Sequence, residues 1–297
     1  MTNTLNTQTG TIGFAPKKVI WIYVLFLSSL LIDFEALVLK DYVLNAVLMI
    51  LTVGIGHSVG LHRGVIHKSY ISTQLFRKVS IYLFVLTGMG SPLSWLKQHY
   101  FRDYWQNRND CPTYFRYQHS LLTDYWWNLH LSYKPKEIGL YQIPKSDVNN
   151  TWLKHLNRYW LLHYVGFALL IFLAFGLNSM LFLICLRSSI IILGHWFIGY
   201  TSHKWGYARY TIKGADESGY NDVFLGFISF GEGFHNNHHS YPTSAKFSSR
   251  WYEIDFGWVL ISICKKLGWI TSVKTQENNL KATAIENTNC SWHISKT

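Results

Sequence analysis

Residues 56–67 read GHSVGLHRGVIH, and they continue without a break from the apolar run Tyr42–Gly60. His57, His62 and His67 therefore stand at and just past the end of a hydrophobic segment. A second cluster, HNNHH at 235–239, supplies His235, His238 and His239. An α-helix advances about 100° per residue, so positions i, i+3 and i+4 share a sector and these three imidazoles are expected to converge on one side. Clustered imidazoles with no ion between them would repel when protonated, and imidazole is the commonest metal ligand, so the pattern points to metal. His62 and His67 are five apart, about 140° on an α-helix, which is too far to chelate one ion together; each would serve a different ion of a pair. His119, His130, His155, His163 and His293 stand singly and read as interfacial or satisfied polar side chains.

Working outward from the clusters, the chain of 297 residues is 49% apolar and only 14% charged, against about a quarter charged in soluble proteins. Val19–Leu39 and Tyr42–Gly60 are each close to the roughly 20 residues that cross a bilayer, with Lys40–Asp41 as the turn between them. Tyr159–Phe175 and Met180–Tyr200 form a second such pair around a turn at Gly176–Ser179, while Val79–Met89 is shorter and reads as a core or partly inserted helix. Arg187 interrupts the last run and must snorkel or pair inside the protein. Lys17 and Lys18 precede the first pair and Arg63, Lys68, Arg77 and Lys78 follow it, which puts that side in the cytoplasm by the positive-inside rule.

The expected fold is an all-α membrane protein with two transmembrane helical hairpins, four spans in all, under a cytoplasmic helical cap that carries a histidine-rich metal site. Its organisation is a cytoplasmic segment over 1–18, a membrane domain over 19–271 with the cap at 61–158 and 201–271, and a polar, disordered tail over 272–297. Trp126 and Trp127 suggest interfacial helices in the cap. The net charge of +11 is spread over the segments between apolar runs; it suits anionic headgroups and an acidic protein partner, and no nucleic-acid motif is present. Cys111, Cys185, Cys264 and Cys290 show no CxxC spacing, so neither a disulfide framework nor a zinc knuckle is expected. The N-terminal stretch lacks a signal-peptide layout, so the first apolar run is expected to stay as a span.

The HRGVIH and GEGFHNNHHSYP segments match the H-x4-H and H-x2-H-H boxes of the membrane fatty-acid desaturases of the Δ9 acyl-CoA or acyl-lipid type, and the chain resembles that family from about Val19 to Trp269. The resemblance implies two Fe(2+) ions and removal of two hydrogens from an acyl chain with O2 and two external electrons. It implies metal ligands at His62, His67, His235, His238 and His239, and at His203 in GYTSH, although the family's Asn one turn earlier is here Gly199. His195, eight residues before His203, either supplies a group near the site or faces another helix.

The second box departs from the pattern. In QHYFRDYWQN, His99 matches the first histidine, but Arg102 and Asp103 occupy the next two positions. A carboxylate is an acceptable ligand for ferrous iron, so Asp103 is a candidate; guanidinium has no lone pair, so Arg102 would instead pair with Asp103 or an anion. His57 would replace a ligand lost from this box. Asp103, Asp110, Asp216, Glu217, Asp222 and Glu232 are candidates to orient the imidazoles, and Trp95, Tyr104 and Trp105 to line an acyl tunnel. The implied partners are a fatty acyl substrate, the lipid bilayer, and a separate ferredoxin-, rubredoxin- or cytochrome b5-like electron donor, since no cytochrome b5 motif is fused. The implied location is a bacterial inner membrane, with N-terminus, cap and C-terminus cytoplasmic. Two alternatives stand beside desaturation: a related diiron lipid hydroxylase or C–H oxidase, and an inactive desaturase-like lipid-binding protein.

Overall fold

Helices carry the architecture. In this computed structural model residues 5–7, 10–136, 143–215, 218–276, 284–287 and 292–294 are described. In chain order the helices are α1 (Pro16–Ser29), α2 (Leu39–Met49, running on as a π-helical segment Ile50–Ile66), α3 (Gln74–Val85), α4 (Pro92–Gln106), α5 (Leu121–His130), α6 (Lys145–Val148), α7 (Thr151–Met180), α8 (Arg187–Thr201, reached through a π turn Leu181–Leu186), α9 (Val223–Ile228), α10 (His235–Ser240) and α11 (Phe256–Lys266). Short antiparallel strands stitch distant segments together: Gly10–Phe14 pairs with Leu131–Pro135, and Tyr70–Ser72 with Ile270–Val273. Two helical stretches, Leu39–Ile66 and Thr151–Thr201, are long and apolar enough to cross a membrane.

The first reversal falls earlier than expected. The helix expected over Val19–Leu39 ends at Ser29, and Lys40–Asp41, expected as the turn, lie in the first turn of α2. Local polar chemistry explains both shifts. The Asp33 carboxylate accepts from the backbone N–H of Glu35 at 3.0 Å and of Ala36 at 3.3 Å, closing a turn over 30–38. Asp41 then accepts from Val38 N–H at 3.1 Å, and so starts α2. The second reversal lies where glycine allows it: Gly176 adopts φ 83°, ψ 178° inside α7, a conformation that interrupts the helix. The two reversals touch, with Asp33 N–H donating to Asn178 at 2.9 Å and Ser179 Oγ to Asp41 at 2.7 Å.

Arg187 pairs inside the protein. It is fully buried and donates to Leu183 O at 2.6 Å, Thr52 Oγ1 at 2.9 Å and Leu86 O at 2.9 Å, linking α8, α2 and the end of α3. Val79–Met89 belongs to α3 and the turn after it, and buries Ile81, Phe84 and Val85 against Leu61, Val65 and Ile66 of the π segment. Between Leu61 and Val65, Arg63 is buried, bonds Asp255 at 3.0 Å and lies 3.9 Å over the Phe247 ring. Within the segment read as a disordered tail, Ala284–Glu286 pairs with Tyr210–Ile212, and Trp292–Ile294 with Trp205–Tyr207. Within that tail 277–283, 288–291 and 295–297, which include Cys290, lie outside the described residues, as do 1–4 and 8–9 of the N-terminal segment. Cys185 and Cys264 are buried free thiols, and Cys111 is buried.

Candidate metal centre

Seven histidines form two sets whose nitrogens face one another. The first set is His62, His67, His99 and His238; the second is His203, His235 and His239. Within each set one ligand atom per residue lies within 4.8 Å of all the others. In the first set His62 Nε2 is 3.1 Å from His67 Nε2, which is 3.2 Å from His99 Nε2. In the second, His235 Nε2 is 3.0 Å from both His203 Nε2 and His239 Nε2. Two nitrogens bound at about 2.0–2.1 Å to one ion, at angles near 90–110°, sit about 2.9–3.4 Å apart. The observed spacings fall in that range, so both sets fit a metal ion. In the second set one nitrogen faces two others, and a single neutral Nε2 cannot donate to one imidazole and accept from another at once; a shared cation resolves that conflict.

Two expectations about how the clusters converge are corrected by backbone conformation. His62 and His67 belong to one set, not to two ions. The segment is π-helical and closes with a five-residue bond, His67 N–H to His62 O at 3.1 Å, so residues five apart stack where α-helical spacing would spread them. Nor do the three histidines of HNNHH act together. His235 and His239, one turn apart on α10, join the second set, whereas His238 points to the first, with its ring centroid 4.5 Å from that of His67. The two sets therefore share one six-residue helix.

That helix is held from behind by the two residues between its histidines. Asn236 accepts from the N–H groups of Arg209 at 2.8 Å and Tyr210 at 2.9 Å and donates to Tyr210 O at 2.8 Å. Asn237 donates to Phe247 O at 2.9 Å and Glu253 Oε2 at 3.0 Å. Both are fully buried. Neither is among the expected site residues, although two amides inside a histidine cluster are a signal that the helix needs anchoring. Two further residues not expected from sequence pack on the imidazoles: Phe247, 4.5 Å from the His238 ring, and Tyr117, stacked at 4.3 Å and 9° on His203.

Of the remaining expected site residues, Glu232 lies against the first set: Oε2 is 2.7 Å from His62 Nδ1, and Oε1 accepts from Ser58 Oγ at 2.6 Å. Asp103 stands outside both sets, with Oδ2 3.3 Å from His99 Nε2. Arg102 does not pair with Asp103 but turns away to Asn128 Oδ1 at 2.5 Å. Asn128 donates to Asp124 at 2.9 Å, and Asp124 also meets Trp196 Nε1 at 2.7 Å and His119 Nε2 at 2.5 Å. A Cβ added at Gly199 would lie 3.7 Å from Arg102 Nη1, so the guanidinium borders the helix face that a side chain there would occupy. His57 and His195 pack edge to face at 5.0 Å, beside Trp95 and outside both sets. Trp95 also stacks on His99 at 5.7 Å, whereas Trp105 is buried with Phe101, Cys111 and Phe115. Asp222 caps α9, Asp110 pairs with Arg108, and Asp216 and Glu217 lie outside the described residues. Of the single histidines, His155 and His163 meet at 3.0 Å and His130 meets Tyr23 at 3.0 Å.

Burial, reinforced by the neighbouring imidazoles, pushes His67, His235 and His238 well below the ordinary histidine range, so at neutral pH their lone pairs are free for a metal. Burial alone would raise the Asp103 carboxyl, but the charge and hydrogen bond of His99, with His67 and His239, outweigh it and hold Asp103 below the ordinary carboxylate range.

Apolar helices long enough for a bilayer and two convergent imidazole sets define a membrane-associated, metal-binding helical protein. The model of the fatty acid desaturase family matches residues 42–269, and the chain belongs to that family, a family of oxidoreductases. It is 30% identical to the "sn-2 palmitoyl-lipid 9-desaturase" of Nostoc sp. (strain 36), over 72% of this chain and 74% of the relative. It is 25% identical to the "sn-1 stearoyl-lipid 9-desaturase" of Anabaena variabilis, over 75% and 80%. It is 26% identical to the "Delta-9 desaturase-like 1 protein" of Arabidopsis thaliana, over 77% and 75%.

Proposed function

We propose that this chain introduces a double bond into the acyl chain of a lipid or acyl-CoA, with one ferrous ion held by His62, His67, His99 and His238 and a second by His203, His235 and His239. The observation that carries the reading is the pair of imidazole sets joined by α10, with nitrogens at metal-ligand spacing. Names of relatives that act on palmitoyl- and stearoyl-lipids favour a long acyl substrate. When bound, the two ions together with O2 and two external electrons would supply the oxidising power that takes two hydrogens from the chain; these two hydrogens, two protons and O2 leave as two waters.

The protein's own residues do the positioning. Glu232 holds His62 through Nδ1 and leaves Nε2 to face His67. Tyr117 fixes the His203 ring by stacking, Phe247 packs at a tilt against the His238 ring, and Asn236 and Asn237 fix the helix between the sets. Asp103 offers a carboxylate beside His99 for a ligand or a proton acceptor. Trp95 stacks on His99 of the first set and is itself backed by His57 and His195.

The same reading takes α1, α2 and the two arms of the α7–α8 hairpin as four spans. N-terminus, cap and C-terminus then lie on the cytoplasmic side, where a separate electron-transfer protein reaches the cap. The test is expression in a host lacking this desaturation, followed by gas chromatography of its acyl chains. New monounsaturated chains are expected, and an unchanged profile from detectable, metal-loaded protein contradicts the reading. An added oxygen in place of a double bond would assign hydroxylation.

A further inference from the structure

A cleft of about 590 Å³ opens between Gly60 and Gly64 of the π segment, the strand Tyr70–Ser72, α3 and the residues around Asp147. None of its lining residues is a histidine of either set. Three of them, Lys68, Arg77 and Lys274, are cations, and Asp147 is the one carboxylate in the lining, which leaves two positive charges unbalanced.

The cations are held in place by the fold. Asp147 is buried, accepts from Arg77 Nη2 at 2.8 Å and has Oδ2 3.8 Å from Lys68 Nζ. Lys68 takes a left-handed backbone, φ 49°, which L residues rarely adopt, immediately after His67. The chain on either side is pinned: Ser69 N–H bonds Arg63 O at 2.9 Å, and Lys274 N–H bonds Ser69 O at 2.8 Å. Lys68 and Lys274 are thereby brought to one wall. The hydroxyls of Ser72 and Ser272 line the same cleft.

A guanidinium, two ammonium groups and hydroxyls suit a tetrahedral oxyanion. The one aromatic residue in the lining, Tyr70, is buried and donates to Val59 O at 2.7 Å, so no exposed ring is offered for stacking a nucleobase. We propose that this cleft binds a phosphoester, separately from the acyl chain that reaches the metal sets. Gly60 and Gly64 lie in the last turns of Leu39–Ile66, at headgroup depth if that helix spans the bilayer, a placement that rests on the four-span reading above. Ile71 and Leu75 beside the cleft are 65% and 73% exposed, apolar side chains suited to the acyl boundary below a lipid phosphate.

Two binding measurements on the detergent-purified full chain test this. Native mass spectrometry compares retention of phosphatidylglycerol with that of phosphatidylcholine, and equilibrium dialysis measures inorganic phosphate. Preferential retention of phosphatidylglycerol, lowered at least tenfold by Lys68→Gln with Lys274→Gln, identifies a lipid headgroup. Phosphate binding with the same sensitivity and no lipid preference identifies a soluble phosphoester. Equal binding of both probes by wild type and double variant, or no binding of either, overturns the proposal. Lys274→Glu, which reverses an exposed charge, serves if the double variant unfolds. Iron per chain and acyl products are measured on the same samples and are expected to be unchanged, so a failure of the phosphoester site stays separable from a failure of the desaturase reading.

Discussion

Glu232 sits 2.7 Å from His62 Nδ1, and its other oxygen is held by Ser58. A carboxylate in that place fixes the tautomer and raises the basicity of the ligand nitrogen. Glu232→Gln should weaken iron retention about 10- to 100-fold while leaving the fold intact, measured by metal analysis after competition with a chelator. Arg102 makes the opposite case. It lies in the altered second box, yet its hydrogen bond goes to Asn128 and through it to Asp124. Arg102→Met should lower stability by about 1–3 kcal/mol in thermal unfolding and leave iron per chain unchanged. The histidines themselves were legible because their residue type and clustering speak for metal. Arg102's partner was not, because Asn128 and Asp124 stand 26 and 22 positions away and nothing local selects them over the adjacent Asp103.

At the scale of elements, the π-helical stretch decides which histidines meet. An α-helical reading separates His62 from His67; the five-residue closure brings them to 3.1 Å. No residue in GHSVGLHRGVIH announces that closure. Tertiary packing accompanies it: Gly56 meets the backbone of Leu83 and Phe84, Gly60 meets Ser80, and Arg63 reaches Asp255 on the N-cap of α11. Gly257 permits that last contact, since a Cβ there would come 1.7 Å from Arg63 Nη1 and 2.5 Å from Phe230 O. Gly257→Ala should destabilise by about 3 kcal/mol through overpacking and loss of the buried ion pair, and should also release iron because Arg63 neighbours His62. Thermal unfolding with metal analysis checks both. The hairpin turns were legible in kind but not in position. The apolar run Val19–Leu39 carries Asp33 inside it, and the turn forms where that carboxylate can bond backbone N–H groups, not where the apolar residues stop.

For the whole molecule, apolar length and histidine placement sufficed to expect long helices with a metal site gathered near their ends. What pattern could not supply is the convergence of α2, α4, α8 and α10 on one site, because those contacts join residues 62 and 238, or 203 and 235, through tertiary packing alone. If the chain crosses the bilayer four times, reporters fused at the N-terminus and after Thr275 should lie on one side and a reporter inserted at Asn178 on the other. Equal labelling of all three from one side would reject that arrangement. The account as a whole rests on two metal ions in two sets, and the iron content of anaerobically reconstituted, purified protein tests it most directly. It predicts two irons per chain, falling to one when His235 and His239 are both replaced by Ala. A wild-type chain that holds one iron or none under ferrous reconstitution contradicts it.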